Sequence, residues 1–222
     1  MDFSHPPHLI DGCFRAILNV LDLPSHQQLL WLAVDREDAA TVIDALADLF
    51  EEHGAPLVLK CDNGPAFLAR LTKGFLGECS VFPLYSPPYC PRYNGGCERA
   101  NRTLKELTEH LAESAGRASF WTSDDLLEAR RCANRLRRPW GAAGGTPEET
   151  WTTRDQISLD KRENMWQHLQ SGIGAARDQR GIDRTATLPH YSQTEIERIA
   201  AQPMLEALGL LHVTRRRIAP VI

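Results

Sequence analysis

No stretch of this sequence is long and apolar enough to span a membrane, and its first residues lack a basic, then apolar, signal layout. No Cys-x-x-Cys pair occurs among the six cysteines Cys13, Cys61, Cys79, Cys90, Cys97 and Cys132. His5, His8 and Cys13 alone do not complete a tetrahedral zinc set. The thiols are read as reduced, mostly buried small hydrophobes. No internal repeat is visible. The net charge of −4 is too small to announce a nucleic-acid partner.

The distribution of charge is more informative. Residues 1–90 carry 5 Lys/Arg against 12 Asp/Glu, whereas residues 91–222 carry 20 against 17. An acidic first half suits a cation site, and arginine clusters downstream suit phosphates, although solvated helix faces account for most of these charges equally well. A chain of 222 residues, 42% apolar and 24% charged, can hold one good-sized domain with appendages.

Leu57 to Leu111 organises the rest. The apolar run from Leu57 to Cys61 reads as a buried strand that delivers Asp62 at its tip, and Asn63-Gly64 supplies a turn expected to need φ > 0. Ser86 to Pro91 holds three prolines and cannot be regular structure. A helix is expected from Asn94 to about Ser114, with Cys97, Ala100, Leu104, Leu107 and Leu111 as its apolar stripe. Glu98 falls one position off that stripe, and Arg102 and Lys105 follow on its side one and two turns along. Thirty-five residues lie between Asp62 and Glu98. A carboxylate at a strand tip and another on a helix can converge on one divalent cation.

Around this stretch, Phe14–Asp22 and Gln27–Val34 read as an antiparallel hairpin. Asp35–His53 reads as an amphipathic helix stopped by Gly54, Phe67–Leu76 as a helix and Ser80–Tyr85 as a short strand. Further helices are expected after Trp121-Thr122-Ser123-Asp124, from Thr146-Pro147, over 158–170, and from a capping box at Ser192-x-x-Glu195 to Gly209. The core is placed at 1–155, a polar linker with a helix at 156–190, and a small helical and basic segment with Arg215-Arg216-Arg217 at 191–222.

Asp-Asn-Gly-x-x-Phe, the thirty-five-residue gap and Pro-x-Tyr-Asn-Gly-x-x-Glu-Arg-x-Asn occur here in order. Together they resemble the catalytic core of the integrase and DDE-transposase family, particularly insertion-sequence transposases. The resemblance covers Asp2 to about Trp151. It implies an α/β, ribonuclease H-like fold: a mixed five-stranded sheet flanked by helices, followed by a mostly helical C-terminal extension.

The resemblance also implies a first metal-binding aspartate beside an aromatic residue on the first strand. Asp2-Phe3 matches that position, and 59 residues separate Asp2 from Asp62. Asp2, Asp62 and Glu98 would then hold two Mg²⁺ or Mn²⁺ ions, while Asn94, Arg99, Arg102 and Lys105 would contact DNA. The implied reactions are nicking at element ends and 3′-hydroxyl attack on target DNA, by a homo-oligomer assembled on DNA, away from membranes, in a bacterial, nucleoid-associated setting. Family members carry helix-turn-helix segments ahead of the core, and none fits before Asp2, so an N-terminally truncated core is expected. Two other readings stay open: an inactive remnant that binds DNA or a transposase, and a ribonuclease H-like nuclease.

Overall fold

Alternation along one short strand sets the layers of the core. In β2 (Ala16–Leu21), Ala16, Leu18 and Val20 face one way and Ile17 the other, and all four are buried. A strand buried on both sides must be covered on both sides. The computed structural model describes residues 1–88 and 90–211, with the backbone alone for residues 91 and 92. Arg215-Arg216-Arg217 lies outside the described residues.

β1 (Asp2–Ser4), β2 and β3 (Gln28–Val34) form an antiparallel ladder in that order, with Asp2 opposite Asn19 and Asn19 opposite Trp31. β4 (Val58–Cys61) and β5 (Phe82–Tyr85) form a separate parallel ladder, Val58 opposite Phe82. The single five-stranded sheet expected from the sequence is thus divided into three strands and two among the described residues. β1 is three residues long and its ladder bonds go to β2; the Met1 ammonium reaches across to the Lys60 carbonyl at 2.8 Å, bridging β1 and β4.

One face packs on α1 (Ala39–His53), where Val42, Leu46 and Leu49 meet Leu18, Leu59 and Leu76. Asp38 rather than Asp35 opens α1: its carboxylate accepts from the Thr41 amide at 2.9 Å, which also holds the Asp38 pKa down. Gly54 closes it at φ +81°, a conformation that favours glycine. The single helix expected over 67–76 is two, α2 (Pro65–Leu68) and α3 (Arg70–Glu78), broken at Ala69, whose ψ is 142°.

The other face packs on α4 (Gly95–Ser114) and α5 (Ser123–Arg135), with Ile17 and Trp31 against Leu104 and Leu126. A 3-10 turn (Pro91–Asn94) leads into α4. Thr122 and Asp125 form the capping box of α5, and Arg117 grips Asp125 through two bonds of 2.8 and 2.9 Å. A short helix, α6 (Pro147–Thr152), follows with proline in its first turn. Of the cysteines, Cys61 and Cys97 are buried, but Cys13 and Cys90 are exposed, so burial is less general than the composition suggested.

The chain divides into two compact units, Met1–Gln156 and Ile157–Ile222. The second contains α7 (Leu159–Gln179) and α8 (His190–Ala207). α7 continues beyond residue 170, and α8 begins before Ser192, which lies inside the helix instead of capping it. Buried Arg177 donates to the carbonyls of Asp183, Arg184 and Ala186 at 2.9–3.0 Å and so pins the connecting loop.

Candidate metal centre

Asp62 follows β4 directly, just past Cys61, whose carbonyl accepts the last ladder bond from the Ser86 amide at 3.1 Å. Its Oδ1 accepts from the Gly64 amide at 2.9 Å, and the Asn63 side chain donates to the Ser86 carbonyl at 2.9 Å. The Ser86 hydroxyl shares its one proton between the Cys61 carbonyl (3.2 Å) and the Asn94 side-chain oxygen (2.9 Å). The strand tip, the end of β5 and the approach to α4 are thereby tied together.

Gly64 is required for space, not for a left-handed backbone. Its φ is −60°, contrary to the φ > 0 expected from the sequence. A Cβ there would lie 3.0 Å from Asp62 Oδ1 and 3.3 Å from the Phe67 ring. Gly64→Ala is therefore expected to push the Asp62 carboxylate aside, costing roughly 1–3 kcal/mol of stability. Urea unfolding and Mn²⁺ titration check it; unchanged stability with unchanged metal affinity would contradict the crowding.

Asp2 sits on β1, half-buried, beside this loop. The Phe3 ring stacks on Phe67 at 5.2 Å, so the last residue of Asp-Asn-Gly-x-x-Phe fastens the segment carrying Asp62 to the segment carrying Asp2. Burial first, and the neighbouring Asp62 charge second, push the Asp2 carboxyl up to about 6. A buried carboxyl beside a second carboxylate presents hard oxygen donors whose charge a divalent cation would neutralise, so Asp2 and Asp62 fit Mg²⁺ or Mn²⁺.

Glu98 stands apart from this pair. Among the described residues no group of three or more His, Cys, Asp or Glu side chains is placed to hold a metal ion. Glu98 occupies the first turn of α4 and is exposed, because Cys97, Ala100 and Asn101 take the inward positions. The α4 side chain bonded to Asp2 is Asn101, whose Nδ2 donates to Asp2 Oδ2 at 3.0 Å. Fully buried Asn19 donates in turn to Asn101 Oδ1.

Asn19 and Asn101 were not singled out as site residues from the sequence. The available signal was an asparagine inside the apolar run Ala16–Leu21, which a buried strand tolerates only with a polar partner. Lys60 was also missed. It is half-buried, its Nζ bonds to the Tyr93 carbonyl and lies 3.9 Å from the Tyr93 ring centroid, and burial lowers its pKa.

Of the residues expected to meet DNA, Asn94 is engaged with Ser86 at the start of α4. Arg99 and Arg102 are exposed and Lys105 is half-buried. All three lie on α4 beyond Glu98, without an ion pair among the described residues. The arrangement offers two adjoining carboxylates at the edge of a helix carrying cations.

The integrase core domain family matches residues 1–91. The Gag-Pol polyprotein of baboon endogenous virus (strain M7) is 28% identical over 149 residues, covering 65% of this chain. That of gibbon ape leukemia virus is 34% identical over 120 residues, covering 53% of this chain. The chain spans 9% and 7% of the length of these two relatives.

Among solved structures, a simian T-cell lymphotropic virus intasome in complex with PP2A regulatory subunit B56 gamma superposes with a TM-score of 0.61. The identity is 19%, covering 71% of this chain and 54% of that one. The catalytic core domain of BIV integrase gives 0.54 at 22% identity, covering 68% and 91%. The HTLV-2 integrase catalytic core domain in complex with magnesium, in a trimeric form, gives 0.53 at 18%, covering 67% and 93%. At these identities the likeness establishes the α/β integrase-core, ribonuclease H-like fold.

Proposed function

Because the chain belongs to the DDE integrase/transposase core family, we propose that it cuts a DNA strand and joins a 3′-hydroxyl end to a second DNA, using two divalent ions held by Asp2, Asp62 and Glu98. The observation that carries this reading is the Asp2–Asp62 pair, in which burial and the second carboxylate raise the first to about 6. A divalent ion supplies a Lewis acid at a phosphodiester and lowers the pKa of a bound hydroxyl. The chain's own residues do the rest. Asn101 fixes Asp2, the Gly64 amide fixes Asp62, and the first turn of α4 carries Glu98, which would have to join the pair when the ions and DNA bind.

DNA is the substrate on this reading, namely the ends of a mobile element and a target duplex. Arg99, Arg102 and Lys105 on α4 are the phosphate contacts. Several copies acting together is supported by the intasome and the trimeric form among the similar structures.

A second reading has one observation in its favour. Glu98 lies outside the carboxylate pair, as a non-catalytic module that binds DNA or a transposase would tolerate. Mn²⁺ titration calorimetry, with and without DNA, separates the two. Under the strand-transfer reading the wild-type chain binds Mn²⁺, and Asp2→Ala and Asp62→Ala each abolish binding. Loss with Asp62→Ala alone removes Asp2 from the site. Absence of binding even with DNA present leaves the non-catalytic module.

A further inference from the structure

Three segments distant in sequence meet beside the first turn of α4. The β2–β3 turn brings Leu23 and His26; Leu23 Cδ2 would lie 3.3 Å from a Cβ at Gly96, two residues before Glu98. α4 itself brings Arg99. The chain leaving α5 brings Arg137 and Trp140, and the edge contact between the His26 and Trp140 rings, 5.5 Å between centroids at 77°, fastens that segment to the turn.

Trp140 is held out by its loop instead of being absorbed into the core. It remains 46% exposed. The Gly144 amide donates to the Gly141 carbonyl at 2.9 Å, and Arg138 donates to the Gly144 carbonyl, so residues 138–144 form a closed turn. A Cβ at Gly144 would lie 2.9 Å from the Trp140 Cβ, so the turn folds directly behind the indole. Leaving a large aromatic half in water has a cost that a ligand stacked on it would recover.

The charges around Trp140 are free to act on a ligand. Arg99 and Arg137 are exposed, and neither takes an ion pair or hydrogen bond among the described residues, whereas nearby Arg135 is joined to Glu148 at 3.0 Å. Asp22, an acid that acts on His26, accepts from the Ser25 amide at 2.9 Å and from the Ser25 hydroxyl. Burial lowers the His26 pKa, with Arg137 next and Arg99 also contributing while Asp22 opposes them, which places both guanidinium groups within electrostatic reach of one imidazole.

We infer that Arg99, His26, Arg137 and Trp140 form a binding site for an unpaired stretch of a DNA strand, with phosphates on the two arginines and a base stacked on the Trp140 ring. A cationic groove beside an aromatic face is the chemistry that holds single strands with little regard to sequence. An acidic protein segment would satisfy the arginines but would leave the indole without a stacking partner. The inference rests on the reading of the core as a DNA strand-transfer domain, and it specifies where an unpaired stretch of strand would lie beside the first turn of α4.

Fluorescence anisotropy in EDTA tests it, using the full chain and labelled duplexes that are either blunt or carry a single-stranded overhang. The wild type is expected to prefer the overhang. Trp140→Ala should weaken overhang binding by about tenfold and leave blunt-duplex binding unchanged. Arg137→Gln should weaken overhang binding and reduce its slope of log affinity against log salt by about 0.7. Equal binding of the two duplexes by the wild type, or an unaltered preference in Trp140→Ala, overturns the site. Because EDTA removes the metals, these outcomes are independent of the Mn²⁺ titration, which reports on the strand-transfer reading alone.

Discussion

Asp62→Asn is expected to reduce DNA strand transfer by about 10³-fold or more at neutral pH. The substitution keeps an oxygen for the Gly64 amide, so the turn after β4 survives. It removes the negative charge that a divalent ion would bind, and metal stabilisation of a phosphoryl transition state amounts to several kcal/mol. A loss of about 4 kcal/mol corresponds to that thousandfold factor. Oligonucleotide joining assays with Mg²⁺ or Mn²⁺ measure it, with circular dichroism as the control for folding. Residual joining within tenfold of wild type, with the fold intact, would remove Asp62 from the chemistry.

The second large effect is a pH dependence that Asp2 imposes on the metal. Its carboxyl is raised from 3.8 to about 6, so below that pH a cation must displace a proton. Mn²⁺ affinity is expected to be flat above pH 6 and to fall by about tenfold for each unit below it. Stability carries the opposite sign. The folded state binds the proton more tightly than the unfolded chain, so without metal stability is greatest below about 4 and declines as pH rises through 6.

Asp2→Asn removes that decline. In metal-free buffer at pH 8 the variant should be the more stable protein, by about 1 kcal/mol once solvent screening of this half-buried group is allowed for. That corresponds to roughly 2–4 °C in Tm. At pH 4 the difference should vanish. A metal-free melting temperature lowered at pH 8 would show that burial and the Asp62 charge do not disfavour the ionised Asp2.

Local patterns carried much of this in the sequence. An apolar run ending in an acid before Asn-Gly placed β4 and Asp62, and the stripe from Cys97 to Leu111 placed α4 to within a residue. The separation of β1–β3 from β4–β5 was not legible, because it depends on how three residues of β1 divide their bonds between two neighbours. Nor was the role of Asn101. Its partners stand 82 and 99 positions away, and no spacing on the helix distinguishes an amide aimed at a carboxylate from one aimed at water. The sequence placed Glu98 at the edge of the buried stripe, where the structure also has it; which α4 side chain reaches Asp2 depended on the inward turn of Asn101. Trp140 carried no signal at all, since a tryptophan after a helix reads equally well as core.

The amides of Asn19 and Asn101 neither gain nor lose a proton anywhere in the range where Asp2 titrates. Asn101 donates to Oδ2 and Asn19 holds Asn101 from behind, so the donor itself carries no charge to lose, while its bond strengthens when the carboxyl ionises and draws the Asp2 pKa down against burial. The position of the first ligand is set by neutral dipoles laid down as β2 and α4 pack together. A cation arriving on a rise in pH would meet a carboxylate already held by an uncharged amide.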